Sequence, residues 1–270
     1  MTTLWPVAMI TFKEGIRNKS VIGIFLFSLF LLCTNFFMAG MALIDIGKIA
    51  VDIALSTVSL AGLLLVLFVG INLMSKDLDK RTIYMVLSRP ISRSQYIVGR
   101  FMGMVLIIVF ALLIVSILAV LSIILIKAGH GNENIRFSWS VVILALFFIM
   151  LSNILLSALS FLFSSFVSTS FITLLLTVIS YIIGQSMQDI RSLIATSQTS
   201  GIEISQVSTK IVQVAFYLFP NLSLFDIKLQ AAHGNPVPSS YLFWTTFYGV
   251  VYICLVITAS ALLFRKKEFP

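Results

Sequence analysis

Between Lys76 and Arg100 the chain gathers charged side chains around a single proline: Asp77, Asp79, Lys80, Arg81, Arg89, Arg93 and Arg100, with Pro90 among them. Ile83, Val86 and Leu87 recur at i, i+3 and i+4, which predicts a short helix with one apolar face. Asp77 and Asp79 lie ahead of it, where their charges favour a helix amino end. Pro90 stops it by barring α geometry at Arg89. Ser92 and Gln95 then have the S-x-x-Q spacing of a capping box, in which each side chain satisfies a free backbone N–H of a new helix. Helix, proline break and second helix make an elbow with Arg89 and Arg93 at its corner. That shape suits docking of a partner; a solvated basic loop that only fixes topology would use the same residues.

Other chemistries find no constellation. No G-x-x-x-x-G-K-[S/T] phosphate loop occurs, so this polypeptide does not cradle ATP in that way, and no cofactor is expected on it. His130 and His233 lack neighbouring Cys or paired carboxylates, whereas a closed metal site takes four converging ligands, so metal: none is expected. Ser, His and acid residues do not cluster as nucleophile and base, so no catalytic residue is expected and the chain is not read as an enzyme. The apolar stretches carry no ionisable residue near their middles, although ion-driven carriers need such groups for coupling. Among their polar residues are Asn35, Asn72 and Asn153 with Ser152, Ser157 and Ser160. In lipid each needs a partner or a wet cavity, which leaves helix–helix hydrogen bonding and a substrate path as the two readings for Asn35, Asn72, Asn153 and Ser157.

The elements that position these residues follow from composition. Of 270 residues 59% are apolar and only 10% charged, a balance that one soluble core could not hide. The basic residues behind the net charge of +8 fall in short clusters beside apolar runs, a topology signal rather than a nucleic-acid face. A crossing helix needs about 20 apolar residues. Six such windows occur, approximately 20–44, 53–74, 102–126, 139–163, 166–184 and 241–264. The uncharged stretch between Arg136 and Asp189 must fold back on itself, with a turn at Ser164 to Ser170. The first window is too long for a cleaved signal peptide and is expected to remain a span. Cys33 and Cys254 lie inside apolar runs and are expected to be buried free thiols.

Placing the amino end inside puts Lys13, Arg17, Lys19, Lys76, Lys80, Arg81, Arg89, Arg93, Arg100, Arg265, Lys266 and Lys267 in the cytoplasm. Lys48, Lys127, Arg136, Arg191, Lys210 and Lys228, half as many, fall outside, so both termini are expected to be cytoplasmic in a multi-pass protein of the plasma (inner) membrane.

The expected fold is therefore an all-α membrane protein, a single transmembrane domain over 1–270. It comprises an amino-terminal interfacial helix within 1–19, six transmembrane helices, a cytoplasmic loop over 75–101 and an outer helical segment over 185–240. In the first of these, Leu4, Val7, Ala8, Ile10 and Phe12 face one side and Lys13, Glu14 and Arg17 the other, which fits a helix in the headgroup region or an ordinary basic lead-in. Gln185 to Ser240 is too long for a simple connector. Ile204, Val207, Ile211, Val214 and Leu218 keep helical spacing before Pro220, which predicts an amphipathic helix over the outer mouth; Ile211 to Phe219 is too short for a seventh span.

The run Asp77-Leu78-Asp79-Lys80-Arg81-Thr82-Ile83-Tyr84-Met85-Val86-Leu87-Ser88-Arg89-Pro90-Ile91-Ser92-Arg93, followed by Gly99-Arg100-Phe101, resembles the loop between spans two and three in permeases of type-2 ATP-binding cassette (ABC) exporters. In that family an acidic residue, a Thr, Leu-x-x-Pro-x-x-Arg and Gly-Lys or Gly-Arg occur in this order. Many members carry Glu and Gly where this chain has Asp77 and Arg81. The ending Phe264-Arg265-Lys266-Lys267-Glu268-Phe269 and the segment Phe219-Pro220-Asn221-Leu222-Ser223-Leu224-Phe225-Asp226 are similar to the branch that includes permeases for maturation of copper-dependent nitrous-oxide reductase. The resemblance implies a coupling helix that sits on a cytoplasmic ABC ATPase, with Asp77, Thr82, Ile83, Leu87, Arg89, Pro90 and Arg93 as contacts. It implies ATP and Mg on that partner, and a second permease copy or paralogue in a homo- or heterodimer. Expected besides are the lipid bilayer, a periplasmic or extracellular accessory protein, and no nucleic acid. The function so implied is ATP-driven export or movement of a substrate across the membrane. A membrane scaffold that docks an ATPase without flux and an ion-coupled secondary carrier are the alternatives.

Overall fold

The computed structural model describes residues 4–41, 45–71, 73, 92–130, 137–167, 169–200, 216 and 218–266. Helix α1 (Leu4–Ile16) leads into α2 (Lys19–Met41), and α3 (Ile46–Leu64) runs on into a π-helical stretch, Leu65–Gly70. Then come α4 (Arg93–His130), α5 (Trp139–Phe166), α6 (Ser170–Ser200), a 3-10 turn (Leu222–Phe225), α7 (Lys228–His233) and α8 (Ser239–Lys266). Among the described residues there is no strand. Among the described residues six helices are long and apolar enough to cross a membrane: α2, α3 with its π stretch, α4, α5, and the parts Ser170–Ile194 of α6 and Ser239–Phe264 of α8.

Local sequence explains where these helices begin. The Asn18 side chain accepts the backbone N–H of Ser20 at 3.0 Å, an N-cap that separates α1 from α2 within a two-residue elbow. Asp45 adopts a left-handed φ of 57° to reverse the chain, and its carbonyl accepts the N–H groups of Lys48 and Ile49 as α3 begins. Helix α5 ends where Val167 turns extended, and α6 starts at Ser170, inside the serine-rich turn expected there. Gly234, at φ 69°, closes α7 by donating to the carbonyl of Ala231, while Asn235 donates to that of Gln230.

Packing makes α5 the axis of the bundle and α2 its periphery, since 67% of the membrane window of α5 is buried against 22% for α2. Phe148, Leu155, Leu156 and Phe161 of α5 are fully enclosed. Phe30, Phe37, Ile117, Ile143, Phe171 and Leu255 point outward, where acyl chains rather than water surround them. The ring of Tyr96, at the start of α4, stacks on Phe264 near the end of α8 with centroids 6.3 Å apart. Because α1 also packs on α4, both ends of the chain meet at one end of the bundle.

Three expectations need correction. Cys33 and Cys254 are free but exposed rather than buried, because a membrane lets an apolar run face lipid as readily as a core. The expected apolar face of α1 is shifted: Ala8, Thr11 and Gly15 are buried and Ile10 is exposed, so small size rather than hydrophobicity selects the packed side. The fifth crossing helix does not end near Gly184 but continues to Ser200. The helix expected over Ile204 to Leu218 lies mostly outside the described residues.

Candidate functional site

Two places concentrate polar side chains, one at each end of the bundle. At the end that bears the termini, α4 opens with the reciprocal bonds of a capping box. The Ser92 N–H donates to Gln95 Oε1 at 3.1 Å, and the Gln95 N–H donates to Ser92 Oγ at 3.3 Å. One turn later α1 crosses α4 so closely that two glycines are needed. A Cβ on Gly99 would meet Val7 at 2.9 Å, and one on Gly103 would meet the Ala8 carbonyl oxygen at 2.7 Å. The spacing is that of the small-x-x-x-small pattern by which helices approach in membranes.

Arg100 lies between those glycines and is buried. Its Nη1 donates to Glu14 Oε2 at 3.0 Å and to Thr11 Oγ1 at 3.2 Å, its Nε donates to the Tyr96 hydroxyl at 3.3 Å, and the guanidinium sits 5.8 Å from the Tyr96 ring centre. The start of α4 and the whole of α1 are thereby joined by an ion pair, hydrogen bonds and glycine-mediated contact. Of the residues expected to touch a partner, Asp77, Thr82, Ile83, Leu87, Arg89 and Pro90 lie outside the described residues, and Arg93 is the first residue of α4.

Of the expected pathway residues that are described, Asn153 and Ser157 lie one turn apart on α5, and Asn35 stands apart from them. Asn35 Nδ2 donates to the Ala50 carbonyl at 3.1 Å and to Ser122 Oγ at 3.5 Å, tying α2 to α3 and α4. Asn153 Nδ2 donates to the Ile149 carbonyl of its own helix at 2.8 Å, and Ser157 Oγ donates to the Ile154 carbonyl at 2.7 Å. Ala50 and Gly62, the residue against which Asn153 rests, stand roughly 18 Å apart along α3. Asn72 lies outside the described residues. Asn35 therefore works as a helix–helix tie, whereas Asn153 faces a small recess shared with Ser59, Tyr181, Gln185 and Asp226.

That recess leads to the second polar place, a cavity of 740 Å³ at the opposite end of the bundle, lined among others by Asp52, Gln185, Asp189, Asp226, Lys228 and Tyr241. Its floor is the segment after Pro220, which dips into the bundle with Leu222, Phe225, Ile227 and Ala231 buried. Gln185 Nε2 donates to Asp226 Oδ2 at 2.8 Å, and Lys228 Nζ pairs with the same oxygen at 3.2 Å. The Tyr248 hydroxyl accepts the Asn221 N–H at 3.0 Å, and the Tyr241 hydroxyl donates to the Leu224 carbonyl at 2.6 Å. Sequence reasoning placed a helix over this mouth, counted Lys228 among the outer charges and found Asp226 in a family-like segment, but assigned no site role to Gln185, Asp226 or Lys228. Their only local signal is that polar residues flank a run of buried apolar ones. Among the described residues no three His, Cys, Asp or Glu converge as metal ligands.

Two substitutions test this geometry. A Cβ on Gly62 would meet the Asn153 amide nitrogen within bonding-clash distance, so Gly62→Ala is expected to cost about 1–3 kcal/mol by overpacking. Thermal unfolding in detergent should show that loss, and Asn153→Ala in the same chain should restore most of it. Asp226→Ala removes the acceptor of both Gln185 and Lys228 and is expected to cost about 1.5–3 kcal/mol by the same assay.

A search of curated proteins finds no match for this chain. The protein-family model described as ABC-2 family transporter protein, however, matches residues 5–269. That match takes in nearly all of α1, the six helices long and apolar enough to cross a membrane and both polar ends, and the chain is thus a multi-pass membrane protein belonging to the ABC-2 transporter family.

Proposed function

We infer that this chain is the membrane-spanning permease subunit of an ATP-driven exporter, and that it takes its energy from a separate ATPase bound beneath Lys76 to Arg100 in the cytoplasm. The observation that carries this reading is the junction that follows that loop. The capping box at Ser92 and Gln95 stiffens the start of α4, and the Glu14–Arg100 pair with the Gly99 and Gly103 crossing makes α1 part of the same unit. A push at the loop would then displace α1 and the third span together rather than being lost in a flexible linker. ATP and Mg belong to the partner, and a second permease copy or paralogue completes the pathway between two bundles.

The positive-inside distribution supports a cytoplasmic location for the loop and both termini. The segment from Phe219 to Asp226 and the basic ending support the narrower branch that includes nitrous-oxide reductase maturation permeases. Purification of the chain from native membranes tests the main reading: a copurifying subunit with a phosphate loop supports it, and its consistent absence overturns it. Cargo flux in vesicles of that complex separates a transporter from a scaffold, and flux that follows an ion gradient without ATP would mark a secondary carrier. Deletion in the source organism tests the branch, with loss of copper-dependent nitrous-oxide reduction as the expected result.

A further inference from the structure

On the side of the bundle reached through the α1–α2 elbow lies a second cavity of different character. It measures 280 Å³, and its walls are apolar side chains of α2 (Val21, Ile22, Phe25) and α4 (Ile107, Phe110, Ala111), closed behind by Leu65, the first residue of the π-helical stretch. Ile22 and Phe110 are about half exposed, so the groove opens sideways towards lipid rather than to either polar end. On α4 its lining runs from Ile107 to Val115, roughly 12 Å of helix, close to the half-thickness of the hydrocarbon layer.

Exposed cations flank the lining residues nearest the α1–α2 elbow. Ile16 and Val21 line the groove there, and the exposed residues Lys13, Arg17 and Lys19 lie within three positions of one or the other. Among the described residues none of the three makes an ion pair. The one acid of α1, Glu14, is directed to Arg100. An apolar slot about one leaflet deep, with three exposed cations beside its elbow end, matches the two halves of an anionic phospholipid.

We propose that the groove between α2 and α4 is a binding site for an anionic phospholipid, one acyl chain lying along Phe25, Ala111 and Leu65 and the phosphate held by Arg17 and Lys19. Two cations near the surface contribute roughly 10- to 30-fold in preference over a zwitterionic lipid of the same chains. The site needs neither an ATPase nor a cargo, so it stands or falls independently of the transporter reading.

The test is native mass spectrometry of the purified full-length chain offered equal dioleoyl phosphatidylglycerol and dioleoyl phosphatidylcholine. The unaltered chain should retain the glycerol lipid at least tenfold over the choline lipid. Arg17→Glu with Lys19→Glu should bring that ratio near one, while Lys48→Glu at the opposite end should leave it unchanged. Ala111→Trp should reduce retention of both lipids by filling the slot; should that variant fail to fold, Ile22→Trp, at an exposed position, blocks the mouth instead. Equal retention by the unaltered chain, an equal loss in Lys48→Glu, or undiminished retention with the slot filled would overturn the proposal.

Discussion

Reversing Arg89 and Arg93 together to Glu is expected to cut stimulation of the partner ATPase by this membrane subunit at least tenfold, with the helical content and melting of the purified chain unchanged. The two residues flank Pro90 in the basic stretch from Lys76 to Arg100. Truncating one partner of a desolvated interfacial charge pair costs about 2–5 kcal/mol, and each 1.4 kcal/mol is tenfold. Reversal adds repulsion to that loss. Because Arg93 is the first residue of α4 and Arg89 precedes that helix in the sequence, folding should not register the change. Unchanged stimulation in reconstituted vesicles would remove the loop from the docking role.

The second large effect belongs to the Glu14–Arg100 pair. Glu14→Ala is expected to cost about 1.5–3 kcal/mol, because it takes a carboxylate away from a guanidinium whose side chain is only 9% exposed. Arg100→Met, which keeps the apolar stem, should cost less, since Glu14 is 32% exposed and can be hydrated where it stands. Thermal unfolding gives the ordering. A functional readout accompanies it: if α1 and α4 move as one unit, Glu14→Ala should also lower ATPase stimulation although Glu14 lies far along the sequence from the loop. An unaffected stimulation in a demonstrably loosened α1 would confine the pair to stability.

How far sequence could foresee this molecule depended on the range of the interaction. The capping box at Ser92 and Gln95 and the turn near Ser165 were legible because all their determinants lie within a few residues. The six crossing helices were legible because bilayer thickness imposes a length that a window can detect. The Glu14–Arg100 contact spans 86 positions and the Gln185–Asp226 bond 41, and no periodicity announces either. Gly99 and Gly103 show their spacing in the sequence, yet only the crossing of α1 reveals why a side chain is excluded there. The burial of Leu222, Phe225 and Ile227 escaped notice for another reason: they follow neither a helical nor a strand period, and their partners are Gly184, Gly249 and Tyr248 from other elements.

The π-helical stretch from Leu65 to Gly70 carries one surplus residue within a helix that is otherwise regular. Such a surplus can migrate along a helix by exchanging one set of carbonyl acceptors for the next, without any turn coming apart. Each step turns the residue it passes by about 100°, the angular share of one residue in an α-turn, while the helix on either side keeps its facing. A helix so built can change which side chains between Leu65 and Gly70 meet α4 and α5 without displacing either of its ends.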